Sequence, residues 1–231
     1  MNCLHELTYE TLTGLVEDKL KIARWQIYEQ TTKERLKTIT EKNYYKYLYK
    51  QANKKHFNVH SAEILSWIDT LNLLYYSLEN VEDNILNDIT ILQEYKIPFS
   101  NKRADYLLVY QNKILILEFS FDRLGDTYKY ETKLNQAIGY KELLTSLLPS
   151  NIEIGTYTFI IEAEVDKDGN QVTKWNRYSQ KEEPANNEKI ESLGKYISLF
   201  FKKESDIALN RLSFLEEYEE KTSEEDDDMA F

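Results

Sequence analysis

Cysteine is nearly absent from this chain: Cys3 is the single copy among 231 residues. One thiol excludes an internal disulfide and a cysteine-based zinc site, and a reducing, cytoplasmic location is the expectation. Histidine is scarce as well, and His5, His56 and His60 lack the spacing of a zinc set. Only 6 Gly and 3 Pro occur, which predicts long helices and few loops. There is no glycine-rich phosphate loop, no nucleophile elbow and no internal repeat. No apolar run approaches the length of a membrane span, so no membrane partner is expected. The start, MNCLHELTYE, lacks the basic residues and apolar run of a signal peptide.

Positive charge is in deficit overall, with a net charge of −11, which argues against general affinity for nucleic acid. The distribution is more informative than the sum. Residues 204–231 carry 11 acidic and 2 basic side chains, whereas residues 33–55 carry 8 Lys/Arg against 2 Glu. A basic block therefore stands apart from an acidic tail in one chain.

What the chain does have is a 42% hydrophobic content and 18 tyrosines, a composition that folds. Helical spacing of apolar residues runs through 8–29, and residues 33–52 continue as a helix. Lys42, Lys46 and Lys50 recur every four residues there with tyrosines between them. Such a stripe could track a phosphate backbone, or it is simply a solvated face. Residues 61–79 form the strongest helix signal, with Ser61 placed to cap it and Glu63 in its first turn. DITILQEYKI, residues 88–97, reads as a first strand; its Glu94 carries little weight.

Residues 97–140 organise the rest. RADYLLVY and ILILEFSF, joined by Gln111-Asn112-Lys113, read as a hairpin. Asp105 lies near the start of one strand and Glu118 near the end of the next, so the two carboxylates meet side by side. A carboxylate in an apolar strand is costly without a partner or a metal, and two together suit a hard divalent cation. Helix 129–148 follows, with Lys129, Lys133, Gln136 and Tyr140 on one stripe beside its inner side. Residues 154–165 read as a buried strand, QVTKW as a possible edge strand, and 188–203 and 205–219 as helices.

The stretch from about 60 to 165 resembles the core of the PD-(D/E)XK nuclease superfamily. Arg103-x-Asp105, Glu118-Phe119-Ser120 and Gln136…Tyr140 match the family's Asp, its Glu-x-Lys and the Gln and Tyr of its following helix. Ser120 stands where the family usually has Lys. The resemblance implies an α/β, restriction-endonuclease-like core (helix, three strands, helix, strand) with additional N- and C-terminal helices. It implies Mg²⁺ or Mn²⁺ held by Asp105 and Glu118 with Glu63 in support, and a nucleic-acid substrate, DNA first. Lys133 is the candidate replacement for the missing strand Lys, with Ser120 and Gln136 beside it. Lys42, Lys46, Lys50, Arg103 and Tyr140 are the candidate nucleic-acid contacts. The plain alternatives are a dipole-favoured Glu63 and a solvent-facing Lys133.

The domain reading is a helical extension over 1–60, the core over 61–175, helices over 176–220 and an acidic disordered tail over 221–231. The end, Asp226-Asp227-Asp228-Met229-Ala230-Phe231, is similar to the acidic tip of bacterial single-stranded-DNA-binding proteins. That similarity implies a docking tail for a helicase or repair protein; a solvating tail is the alternative. Two functions follow: a metal-dependent nuclease in defence or repair, or a catalytically inactive module that binds nucleic acid or a partner subunit.

Overall fold

The computed structural model describes residues 2–20, 42–123, 127–165, 171–178, 184–185 and 189–202. Strand β1 (His5–Thr8) opens the chain and runs into helix α1 (Tyr9–Leu15), which Thr8 and Thr11 close with a capping box. A π-helical stretch, Val16–Leu20, continues it. Helices α2 (Asn43–Lys54), α3 (Ser61–Leu78) and the short α4 (Asp83–Leu86) come next. Strands β2 (Thr90–Lys96), β3 (Arg103–Tyr110) and β4 (Lys113–Arg123) follow, then helix α5 (Thr127–Leu147) and strand β5 (Glu153–Val165). Strands β6 (Gln171–Tyr178) and β7 (Pro184–Ala185) and helix α6 (Lys189–Phe201) complete the described chain.

One mixed sheet holds all seven strands in the order β1-β2-β3-β4-β5-β6-β7. Five of them, β2 to β6, are long, with short β1 and β7 at the edges. Every pairing is antiparallel except β4 with β5, whose parallel register spans Lys113↔Glu153 to Arg123↔Ala163. A parallel neighbour needs a crossover, and α5 supplies it. From α3 onward the order is the expected helix, three strands, helix, strand, with the β3–β4 hairpin central and β5 beside it.

Both faces of β3 and β4 are covered, which is why these strands are apolar almost throughout. On one face Tyr106, Leu108, Leu115, Leu117 and Phe119 pack with α3 and α6 residues such as Ile68, Leu71, Leu193 and Ile197. On the other, Leu107, Val109, Ile114 and Ile116 pack with Tyr140 and Leu144 of α5. Helix α6 lies close on α3, so close that a Cβ at Gly194 would overlap the Ser77 carbonyl. No helix among the described residues is long and apolar enough to cross a membrane.

Residues 5–8 differ from expectation. They fall within the presumed helical extension, but His5↔Gln93 to Thr8↔Thr90 pair them to β2 as an edge strand. Only Leu7 of the four is buried, so the segment offers no alternation long enough to read as a strand. His60, not Ser61, is the N-cap of α3, and it makes no side-chain cap hydrogen bond. The Ser61 hydroxyl is engaged with Tyr45 Oη at 3.1 Å instead, which ties α2 to α3.

Candidate active site

The β3–β4 ladder ends at Tyr106↔Leu117. One step further, Asp105 and Glu118 face each other, and their side chains take over the pairing. The Asp105 N–H donates to Glu118 Oε1 at 3.0 Å, and the Phe119 N–H donates to Asp105 Oδ2 at 2.7 Å. Backbone groups that would otherwise be orphaned thereby hold both carboxylates in place.

The same step disturbs β2. Gln93 and Tyr106 are paired and hydrogen-bonded on the α3 side, while Tyr95 and Ala104 pair within the α5-side core. Alternation should put 93 and 95, or 104 and 106, on one face. It slips across Glu94 and Asp105, where Glu94 adopts φ 53°. A non-glycine residue in that region is held there by its surroundings.

A cleft of about 810 Å³ opens at this end of the sheet, between α3 and α5. Two bridged groups meet it; all their charged members but Glu118 line the cleft, and Glu118 has no exposed side-chain surface. In the first, Lys133 Nζ reaches from α5 to Glu118 Oε2 at 2.7 Å and Asp105 Oδ2 at 3.2 Å. In the second, Arg103 places Nη2 at 3.1 Å from Glu63 Oε1 and Nη1 at 3.3 Å from Glu94 Oε2, with its guanidinium over the Phe57 ring. Trp67 Nε1 donates to the other oxygen of Glu94 at 2.8 Å. The first group sits at the foot of the splayed hairpin, the second on the α3 side.

Burial sets the electrostatics. Glu118 has no exposed side-chain surface, and desolvation first, then the Asp105 charge, pushes its pKa up to about 8 against the pull of Lys133. Desolvation, then Asp105, likewise raises Glu94 to about 8, with Arg103 and Trp67 opposing. For Lys133, burial works against the charge, but the two carboxylates outweigh it and the net shift is upward. Glu118 beside Lys133 and Glu94 beside Arg103 thus both hold their protons more tightly than ordinary carboxylates, because burial outweighs their cationic partners.

The expected residues divide. Asp105, Glu118 and Lys133 converge on one point; the plain reading of Lys133 as solvent-facing is corrected, because its ammonium is drawn inward by two poorly solvated carboxylates. Gln136 lines the cleft and donates through Nε2 to Tyr140 Oη. The Tyr140 hydroxyl donates to the Arg103 carbonyl at 3.0 Å. Tyr140 is 3% exposed in the α5-side core, where it pins α5 to β3, and it also lines the cleft. Ser120 is half-buried beyond Glu118 and is not among the described residues that line the cleft.

Glu63 turns to Arg103 rather than into a ligand set. Among the described residues no group of three or more His, Cys, Asp or Glu is gathered closely enough to hold a metal ion. Asp105 and Glu118 still offer the hard oxygen donors that Mg²⁺ or Mn²⁺ requires, and they share a focus now taken by Lys133. Lys42, Lys46 and Lys50 are exposed on α2, with Tyr45 and Tyr49 stacked between them at 6.1 Å. Asp226, Asp227, Asp228 and Phe231 lie outside the described residues, as does the helix read over 205–219.

Glu94 and Trp67 are the members that sequence reasoning passed over. A signal existed: Glu94 is a carboxylate in an apolar strand, the same oddity that singles out Asp105 and Glu118. Trp67 carried none, because its indole N–H matters only once α3 is laid against β2. No family model matches the chain, and no curated protein or solved structure does either.

Proposed function

We propose that this chain is a metal-dependent nuclease of PD-(D/E)XK type that hydrolyses nucleic-acid phosphodiesters, with its amine supplied from α5. The observation that carries this reading is the contact of one ammonium, Lys133 Nζ, with both Asp105 and Glu118, where Lys133 and Asp105 line a cleft. A Lys two residues after the Glu is the family's usual source of that amine, and Ser120 occupies the position. Lys133 brings the same group to the same carboxylates from α5.

In this reading Asp105 and Glu118 would hold Mg²⁺ or Mn²⁺. A bound ion of this kind lowers the pKa of its water and neutralises charge on the phosphate. Lys133 then moves from between the carboxylates to orient the attacking water and counter the developing charge. Arg103, poised between Glu63 and Glu94, exchanges one carboxylate for a phosphate oxygen, a geometry its guanidinium suits. Because burial raises the proton affinity of Glu118, an ion held there would compete with its proton and would bind more tightly as pH rises.

Single- and double-stranded DNA and RNA, incubated with Mg²⁺ and separately with Mn²⁺, test the proposal. Cleavage by the wild type that disappears in Glu118→Gln is the expected result. No cleavage of any substrate, with binding that weakens as salt rises, would establish the alternative of an inactive nucleic-acid-binding module. A function in defence or repair, and recruitment of a helicase or repair protein through the acidic terminus, belong to the same proposal.

A further inference from the structure

Thr158 stands directly beside Glu118 on the neighbouring strand, in parallel register. Parallel partners point to the same side of the sheet, so both side chains face α5. The neighbouring pairs agree: Phe119 and Phe159 share the α3-side core, and Ile114 and Ile154 the α5-side core. Thr158 is 2% exposed, and its Oγ1 has no hydrogen-bond partner among the described residues. A buried hydroxyl without a partner costs stability, and Val would fill the same volume without that cost. A polar row therefore crosses three strands under α5: Asp105, Glu118, Thr158.

We infer that Thr158 is a positioning residue of the candidate site, whose hydroxyl takes over Glu118 when the Lys133 ammonium leaves it. At rest Glu118 leans toward β3, with Oε1 on the Asp105 N–H and Oε2 on Lys133. Once Lys133 is drawn to a phosphate or to the attacking water, Oε2 loses a hydrogen-bond donor, and an ion held by Glu118 would occupy only one of the lone pairs of that oxygen. The hydroxyl on the next strand, about 4.8 Å across the sheet, is the donor already in position, directly or through one water. The idle hydroxyl of the resting state is thus matched to the second state of Lys133. The catalytic use of this exchange rests on the nuclease reading, but the exchange itself does not.

A double-mutant cycle followed by thermal unfolding separates the two. In the wild-type background Thr158→Val raises Tm by about 2 °C, because an orphaned hydroxyl is removed. In a Lys133→Met background, where Glu118 has lost its amine, the same change lowers Tm by about as much. Thr158→Ser, which keeps the hydroxyl, does not lower it. Lys133→Gln serves as the background should Lys133→Met not fold. An effect of one sign in both backgrounds, or Ser behaving as Val, overturns the inference. In the cleavage assay Thr158→Val lowers kcat roughly tenfold at unchanged KM and Thr158→Ser does not. Wild type that cleaves nothing overturns the nuclease reading and leaves the sign of the cycle to decide Thr158.

Discussion

A lysine meets each end of the β3–β4 hairpin, Lys113 buried and Lys133 partly exposed, and the two are used differently. At the closed end Lys113 is 3% exposed, and its Nζ meets the Phe200 carbonyl, Glu153 Oε2 at 3.0 Å and the Phe200 ring at 5.1 Å. Its one carboxylate partner is 55% exposed, so water shares the charge. Lys113 also satisfies a carbonyl at the C-terminus of α6, where a cation is favoured. At the open end Lys133 faces two carboxylates, one wholly enclosed, whose other contacts are backbone N–H groups. One lysine balances its surroundings and staples a helix. The other is outnumbered, and that imbalance, more than burial itself, separates a candidate site from a structural ion pair.

The comparison breaks most sharply at Glu118. Glu118→Gln should reduce cleavage about a thousandfold, since a ligand and its charge are lost together. Circular dichroism should show the fold intact. Residual cleavage within tenfold of wild type would remove Glu118 from the chemistry. Lys133→Met should lower kcat about a hundredfold, the scale of one lost charge-stabilising donor, while Lys113→Met leaves kcat alone. Equal losses in the two variants would mean that either lysine acts only through the fold.

Acidity gives the next test. Glu118 and Glu94 have folded-state values near 8, above the ordinary carboxylate value of 4.5. Between those values the folded chain binds more protons than the unfolded one, so the stability they contribute is complete below about 4.5 and is lost as pH rises through about 8. Without metal, Tm should therefore fall from pH 5 to pH 9, and Glu94→Gln should flatten that slope. Lys133→Met should steepen it and extend it to higher pH, because Glu118 then keeps no cationic partner. A slope equal in all three proteins would show that neither carboxylate is perturbed.

The smallest effects are at the staples. Lys113→Met should cost about 1 kcal/mol, much the same at pH 6 and pH 9, because the exposed Glu153 is resolvated. Tyr140→Phe should cost about 1 kcal/mol through the lost bond to the Arg103 carbonyl. Chemical denaturation reads both; a pH-dependent loss in Lys113→Met would erase the distinction between the two hairpin ends.

Much of the fold was legible because its signals are local. The hairpin follows from two apolar runs around Gln111-Asn112-Lys113, and the placement of Asp105 against Glu118 follows from strand alternation alone. Lys133 was reached only through the family resemblance; its stripe beside the packed side of α5 left a solvent-facing Lys open. Strand β1 was not legible, because four residues paired across a span of more than eighty carry no local pattern. The burial of Tyr140 was not legible for a related reason: a helical stripe gives a direction, but the depth of a ring depends on the sheet beneath it.

By itself the sequence determined the periodicities, and through them the order of helices and strands, the central hairpin and the pairing of two carboxylates at its open end. These depend on contacts between residues close along the chain, where covalent geometry leaves few choices. Tertiary structure alone decided which charges meet. Arg103 is claimed by Glu63 and Glu94, Lys133 by Asp105 and Glu118, and Thr158 is left idle beside Glu118. Long side chains from different elements choose partners by distance, and proton affinity follows from how much water each then keeps. Both are properties of packing.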